Sequence, residues 1–209
     1  LKPSELTPLT GNKIRQIFLD GGIPRDVFQI IHGFGDTGAT LVESPMTDII
    51  CFTGSVKVGR AIAEACGKQL KPSILELGGS DPMIILEDAD LDRSISAAVW
   101  GGFSNCGQTC ISVERIYVMD SIADLFIERL KKKALNLKLS NNPENADLGC
   151  MINHNQKKDV KSFLDEAREE GITFHLEDKK TMEDMSCFLH PTIIESDNSP
   201  SSLIQSEIF

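Results

Sequence analysis

"IICFTGSVKVGRAIAEACGKQLKPSILELGG", residues 49 to 79, is the stretch on which the fold turns. Its first four residues are a continuous apolar run, too short for a helix and stopped by Thr53, Gly54 and Ser55, and they read as a buried strand. A helical period takes over from about 56 to 69 and puts Val58, Ile62, Ala65 and Cys66 on one face. "SILELGG" returns to a strand that stops on two glycines. Strand, helix, strand in this order predicts a parallel pair joined by a right-handed crossover, because parallel neighbours need a long connection and the twist fixes its hand. Ligand sites in such sheets lie beyond the carboxyl ends of the strands.

Working outward toward the N-terminus, Ile14, Ile17 and Phe18 mark a helical face that stops at Gly21, Gly22 and Pro24. "VFQII" (27 to 31) then reads as a short strand, a short helix follows near 38 to 43, and the first residues read as a strand ended by Pro3. Toward the C-terminus, "MIIL" (83 to 86) is a strand and "DADLDRSISAAVWGGF" is a helix with acids at its start that buries Ile95, Val99 and Phe103. The strand "RIYVM" comes next, followed by an amphipathic helix over 121 to 135 through Ile122, Leu125, Phe126 and Leu130. A helix at about 154 to 170 and the strand "ITFHL" precede "EDKKTMEDMS", a polar surface connection. The fold class expected is α/β: a parallel Rossmann-like layer over residues 1–78, then a second α/β domain over 79–209. Both domains read as incomplete, since the chain opens on a strand that ends abruptly at Pro3 and stops at "SLIQSEIF" on an apolar residue without a cap or polar tail.

Composition narrows the function. A net charge of -10 without a basic run disfavours nucleic acid and anionic membrane as partners. Six cysteines without a C-x-x-C pair read as thiols in a reducing compartment. With no apolar run near ~18 residues and no signal-peptide pattern, a cytoplasmic location is expected. No metal is expected.

"GFGDTG" (33 to 38) matches G-x-G-x-x-G literally, yet the next strand ends in Thr53 and Ser55 rather than the acid which that fingerprint needs. Its glycines serve either a tight turn or a looser cofactor contact. "FTGSVKVG" (52 to 59) is the better phosphate candidate, because Gly54 and Ser55 open a helix whose first amides are unpaired. The alternative there is an ordinary Ser N-cap. In "KPSE", Lys2 and Glu5 can bond ribose hydroxyls, although alone such charges are usually just solvated. Glu76, a carboxylate inside the apolar strand "SILELGG", is expected to be buried, which raises an acid's pKa toward that of a general base; an outward-facing edge acid is the alternative. Cys110 follows Gly-Gln-Thr at a tight turn, where backbone amides can assist a thiolate attacking a carbonyl; Cys106 is its rival.

Taken in order, "KPSE", "FTGSVKVG", "LELGG", "NCGQTC" and the final "EIF" resemble the aldehyde dehydrogenase superfamily over nearly the whole chain. The resemblance makes Cys110 the nucleophile, three residues after the glycine of Gly-Gln-x-Cys, and Glu76 the base that activates water. Lys2 and Glu5 resemble the adenosine-ribose contacts. Gly54, Ser55, Val58 and Gly59 resemble the phosphate and helix site, with Leu77 beside the cofactor and Gly35 of the "GFGDTG" turn near adenine. Glu207 resembles the contact to the nicotinamide ribose, and Phe209 lies by the nicotinamide ring.

By the family's mechanism, the Cys110 thiolate adds to a small aldehyde, hydride passes to NAD or NADP, and water activated by Glu76 hydrolyses the thioester. NAD is preferred if Glu5 accepts from the ribose 2'-hydroxyl. "ISVERIYV" is reminiscent of branches acting on small semialdehydes or hydroxyaldehydes. The family's oxyanion asparagine lies upstream of "KPSE", outside these residues, so the 209-residue chain alone is expected to be poorly active and the full-length protein to be a homodimer or homotetramer. Two other classes stay open: a catalytically silent structural relative, which intact Cys110 and Glu76 oppose, and a coenzyme A-acylating relative, which Glu76 opposes.

Overall fold

The stretch 49 to 79 forms the expected unit. In the computed structural model, which describes residues 1–177, 186–196 and 207–208, it follows helices α1 (Pro8–Asp20) and α2 (Gly35–Glu43) and consists of strand β1 (Ile50–Thr53), helix α3 (Val56–Lys68) and strand β2 (Ser73–Glu76). The two strands pair in parallel, with Ile50 opposite Ser73 and Thr53 opposite Glu76. Helix α3 turns Cys66 fully inward and half-buries Ile62 and Ala65, the face predicted from its period, while Val58 stays exposed. Backbone contacts divide the chain into Leu1–Leu77 and Gly78–Phe209.

Two expectations for the first unit are corrected. Residues 27 to 31 are not a strand and neither are the first residues. Ile31 N–H donates to Leu1 C=O at 3.0 Å and the Leu1 amine donates to Gln29 C=O at 2.7 Å. The pairing goes no further: Pro3 has no N–H to give, and its ring seats instead on α1, where a Cβ on Gly11 would come within 2.8 Å of it. The apolar residues of "VFQII" serve a side-chain contact instead, Phe28 stacking on Phe18 of α1 at 4.5 Å between ring centroids. The turn "GFGDTG" therefore follows an irregular segment, and α2 begins at Gly35 rather than at 38.

In the second unit, strands β3 (Asp81–Ile85) and β4 (Val113–Val118) pair in parallel around helix α4 (Leu91–Phe103) and a 3-10 turn, Ser104–Gly107. Helix α5 (Asp120–Leu135) returns over the same face. Ile85, Ile95, Ala98, Val99, Phe126 and Leu130 form the core, with Met83, Ile116 and Val118 packed against it. Asp90 caps α4 by accepting the Arg93 N–H at 3.0 Å, which explains the acidic start of that helix. Leu125, expected on the buried face of α5, is exposed. Helix α6 (His154–Glu169) leads to an antiparallel pair, β5 (Thr173–Leu176) and β6 (Ile193–Glu195). Strand β6 has three residues, too few to show a period. Most of the polar connection expected at 177 to 186 lies outside the described residues. Among the described residues no helix is long and apolar enough to cross a membrane.

Candidate active site

In the first unit the candidate residues gather at the carboxyl ends of β1 and β2. Gly54 N–H donates to the Glu76 carbonyl at 3.0 Å, so the phosphate candidate and the base candidate share one end of one strand pair. Ser55 caps α3, its Oγ accepting from Val58 N–H at 3.4 Å. The ordinary cap is thus realised. Both glycines of this motif also have packing reasons: a Cβ on Gly54 would lie 2.6 Å from the Phe52 ring, and one on Gly59 would lie 2.5 Å from Leu77 Cδ2. Leu77 is therefore the residue that seats α3 against β2.

Glu76 is not buried. Leu75 and Leu77 are half-buried on one face, whereas Ile74 and Glu76 fall on the other by the two-residue strand period and are exposed. The outward-facing alternative is the one realised among the described residues, and Cys51 and Thr53, their register partners, are exposed with them.

At the start of the unit, Lys2 Nζ donates to the carbonyls of Pro3, at 2.7 Å, and Gly33, at 2.9 Å, and its stem lies 3.6 Å from where a Cβ of Gly38 would be. The ammonium is a brace for the "GFGDTG" turn. Glu5 is exposed in the turn that leads into α1, and a Cβ on Gly35 would meet nothing within 4 Å. These groups suit a dinucleotide by their chemistry: unpaired amides at a helix N-terminus for phosphate, an exposed carboxylate for ribose hydroxyls, and clear space at Gly35 for a flat base.

In the second unit, Cys110 is exposed on a turn that the rest of the unit fixes. Asn105, Cys106 and Gly107 run through the left-handed region at φ 53°, 61° and 75°. Asn105 Nδ2 donates to Gln108 C=O at 2.9 Å, Gln108 Nε2 donates to Asn105 C=O at 3.0 Å, and Gln108 Oε1 accepts Ile152 N–H at 2.9 Å. On the other side of Cys110, buried Ser112 donates through Oγ to Gly101 C=O at 3.1 Å. The nucleophile candidate is held at both flanks. Cys106 is half-buried, and burial pushes its thiol up, with nearby Cys150 in the same sense and the Gly149 N–H opposing. Its partial burial and its raised thiol both work against Cys106 as a nucleophile.

Glu207 stands at the same turn as the Cys110 backbone. Its Oε1 accepts Gly79 N–H at 3.3 Å, and a Cβ on Gly78 would fall 1.8 Å from Oε2, so a side chain at 78 excludes the carboxylate. A Cβ on Gly79 would lie 2.9 Å from the Cys110 carbonyl. The pair of glycines, read in sequence only as a strand stop, is what lets Glu207 and Cys110 approach one loop. Phe209 lies outside the described residues.

One acid was missed. Glu114 in "VERIYV" sits in the β3–β4 bulge: Asp81 opposes Val113, Pro82 opposes Arg115, and Glu114 has no register partner. Burial pushes its carboxyl up and the Glu207 charge adds to this, while hydrogen bonds from Ser80 and the Ile208 N–H, and the charge of Arg115, work against it.

The model of the aldehyde dehydrogenase family matches residues 1–209. The chain belongs to the aldehyde dehydrogenase family. It is 37% identical to the D-glyceraldehyde dehydrogenase (NADP(+)) of Picrophilus torridus, covering 100% of this chain and 43% of that one. Against the 2-hydroxymuconic semialdehyde dehydrogenase of Pseudomonas putida the identity is 39%, over 83% of this chain and 36% of the other. Among solved structures, the NAD-dependent aldehyde dehydrogenase of Sinorhizobium meliloti superposes with a TM-score of 0.91 at 31% identity, covering 100% of this chain and 42% of that one. The betaine aldehyde dehydrogenase of Staphylococcus aureus in complex with NAD+ gives 0.89 at 29% identity, over 99% and 42%. The chain thus spans less than half the length of these relatives and is similar to one part of each. The family explains the set of motifs as a group, which the separate alternatives for each motif did not.

Proposed function

We propose that the protein of which these residues form the nucleophile-bearing part oxidises a small aldehyde to a carboxylate, with NAD as acceptor. The observation that carries this is the contrast between the two cysteines of "NCGQTC": Cys110 exposed on a turn fixed at both flanks, Cys106 half-buried with its thiol pushed up. Fixing the backbone around a nucleophile removes the entropy of finding the attack geometry, and leaves nearby amides aimed at the oxyanion that forms.

In this proposal Leu1–Leu77 serves as part of a Rossmann-like cofactor domain and Gly78–Phe209 as part of the catalytic domain. Cys110 adds to the aldehyde carbon and carries the acyl group as a thioester. Glu76 accepts a proton from the water that hydrolyses it, and the exposure of its carboxylate leaves it accessible to that water. Gly54, Ser55, Val58 and Gly59 form the phosphate end of the cofactor site, Glu5 and Lys2 the adenosine ribose end, Gly35 the adenine end, with Leu77 between; Glu207 holds the nicotinamide ribose and Phe209 lies by the ring. The bound dinucleotide supplies the hydride acceptor. The preference for NAD rests on Glu5, since a 2'-phosphate there would set two anions at short range. It departs from the NADP(+) in the name of the Picrophilus relative. A hydroxyaldehyde or semialdehyde fits the names of the first two relatives. The full-length protein is proposed to be a cytoplasmic homodimer or homotetramer.

The test is NADH absorbance of the full-length protein with a panel of aldehydes, with and without coenzyme A. NADH formation that needs Cys110 and no coenzyme A is the expected result. A requirement for coenzyme A, or no NADH with any aldehyde, overturns it.

A further inference from the structure

The guanidinium of Arg115 is a group that no motif of the chain accounts for. Arg115 lies in β4, shortly after Cys110, and is half-buried. Across the bulge it opposes Pro82, which has no N–H to give to the strand pairing. Its side chain reaches past that residue to the carbonyl of Ser80, to which Nε donates at 3.1 Å and Nη2 at 2.5 Å. Two N–H groups of one rigid fork thus converge on a single oxygen, at the point where β3 begins.

Ser80 ends the glycine turn. Gly79 N–H donates to Glu207 Oε1 at 3.3 Å, a Cβ on Gly78 would fall 1.8 Å from Glu207 Oε2, and one on Gly79 would lie 2.9 Å from the Cys110 carbonyl. Glycine restricts the backbone least of all residues, so two in succession hold a carboxylate in one place only when something outside the turn fixes its end. The Cys110 loop needs no such help, because Asn105, Gln108 and Ser112 already fix it by hydrogen bonds of their own. We infer that Arg115 is a positioning residue for the cofactor site: its fork on the Ser80 carbonyl fixes the Gly78–Gly79 turn and, through the Gly79 N–H, the Glu207 carboxylate. Cys110 and Arg115 belong to one short run of chain, so the segment that carries the nucleophile also sets where the ribose contact stands beside it. This rests on the proposed role of Glu207 at the nicotinamide ribose.

The inference is tested in the full-length protein by NADH affinity, from fluorescence titration, in Arg115→Lys, Glu207→Ala and the double variant. Lys keeps the charge but is a point donor that cannot set two fixed N–H groups on one oxygen. Arg115→Lys should therefore weaken NADH binding about ten-fold, and Glu207→Ala at least as much. In the double variant the Arg115 change should cost less than about two-fold further, because its effect passes through Glu207. Alkylation of Cys110 by iodoacetamide in Arg115→Lys should keep within about two-fold of the parent rate, since the Cys110 loop has its own bonds. Should the Lys variant not fold, Arg115→Met gives the same readings in the same direction. Parent affinity in Arg115→Lys overturns the fork, as do losses that add in the double variant. An alkylation rate that changes as much as the affinity also overturns it, because Arg115 then supports the whole unit rather than the turn. A parent protein that binds no NADH overturns the proposed function itself, and parent affinity in Glu207→Ala takes the ribose contact from Glu207 and this inference with it. Binding that is lost in Glu207→Ala but kept in Arg115→Lys overturns this inference alone.

Discussion

The two parallel strand pairs of the chain carry the same local pattern, an acid inside an apolar strand, and give it opposite fates. Glu76 in β2 faces away from α3 and is exposed; Glu114 in β4 is drawn inward and has its carboxyl pushed up by burial. The difference lies in what covers the strands. Among the described residues α3 packs against β1 and β2, on the face of Leu75 and Leu77, whereas α4 and α5 both pack on β3 and β4 and bury Ile85, Phe126 and Leu130. The bulge then turns Glu114 toward Ser80 and Ile208 rather than leaving it on a bare face. A strand's alternation says which residues share a face. It does not say which face is covered.

The largest effect that sharpens this comparison belongs to the residue the second unit holds in place. Cys110→Ala should lower aldehyde-dependent NADH formation by roughly 10⁴-fold or more, while Cys106→Ala keeps it within about an order of magnitude. Equal losses would remove the distinction between a fixed, exposed thiol and a half-buried one. Alkylation gives an independent reading: iodoacetamide near neutral pH should mark Cys110 well before Cys106, because burial both hinders access to the Cys106 thiol and raises it above its ordinary value.

Next in size is the direct contrast of the two acids. Glu76→Gln should leave a pre-steady-state NADH burst intact and slow turnover by roughly 10² to 10⁴-fold, since acylation needs no base for water and hydrolysis does. Glu114→Gln should leave turnover within a few-fold, about the change expected of a residue that takes no part in the reaction. Reversed outcomes would exchange their roles and break the comparison.

A smaller effect is expected at the other end of the first unit. Glu5→Ser should shift kcat/KM toward NADP by about ten-fold by removing an anion from the ribose end. A parent enzyme that already prefers NADP, or a ratio that does not move, would take Glu5 out of the site.

The smallest effect is on stability. Glu114 holds its proton more tightly folded than unfolded, so the unfolded chain releases it first as pH rises past the ordinary value of 4.5, and the folded state loses stability from there up to the raised folded pKa. Above that pKa the loss is complete and constant. Glu114→Gln should flatten this part of the pH profile by about 2 °C in Tm or less, solvent screening keeping it small. A thermal-melt series from pH 4 to 8 on parent and variant measures it, and an unchanged profile would show that the Glu114 environment is as open as that of Glu76.

Much of the site was legible in residue order. Periodicity located both strand-helix-strand units, and the resemblance of "NCGQTC" to the family's Gly-Gln-x-Cys made Cys110 the nucleophile candidate without coordinates. The failures have separate physical causes. "VFQII" has the composition of a strand, but the neighbouring backbone at Pro3 has no N–H, and Phe28 finds Phe18 as a partner instead. Glu76 lies inside an apolar strand just before two glycines, a setting that predicts burial, but among the described residues its face of that strand is exposed. Glu114 carried the same signal in "VERIYV" and was passed over, since a bulge depends on which residues oppose each other across two strands.

The sequence by itself determined the order of elements and the family, because period, glycine stops and motif spacing are properties of neighbours along the chain. Only the tertiary structure decided which acid is covered, which of two cysteines is fixed and exposed, and why both Gly78 and Gly79 lack a side chain. These depend on atoms distant in sequence, the Glu207 carboxylate against Gly78 and the Cys110 carbonyl against Gly79, and burial and close approach exist only once those atoms have met.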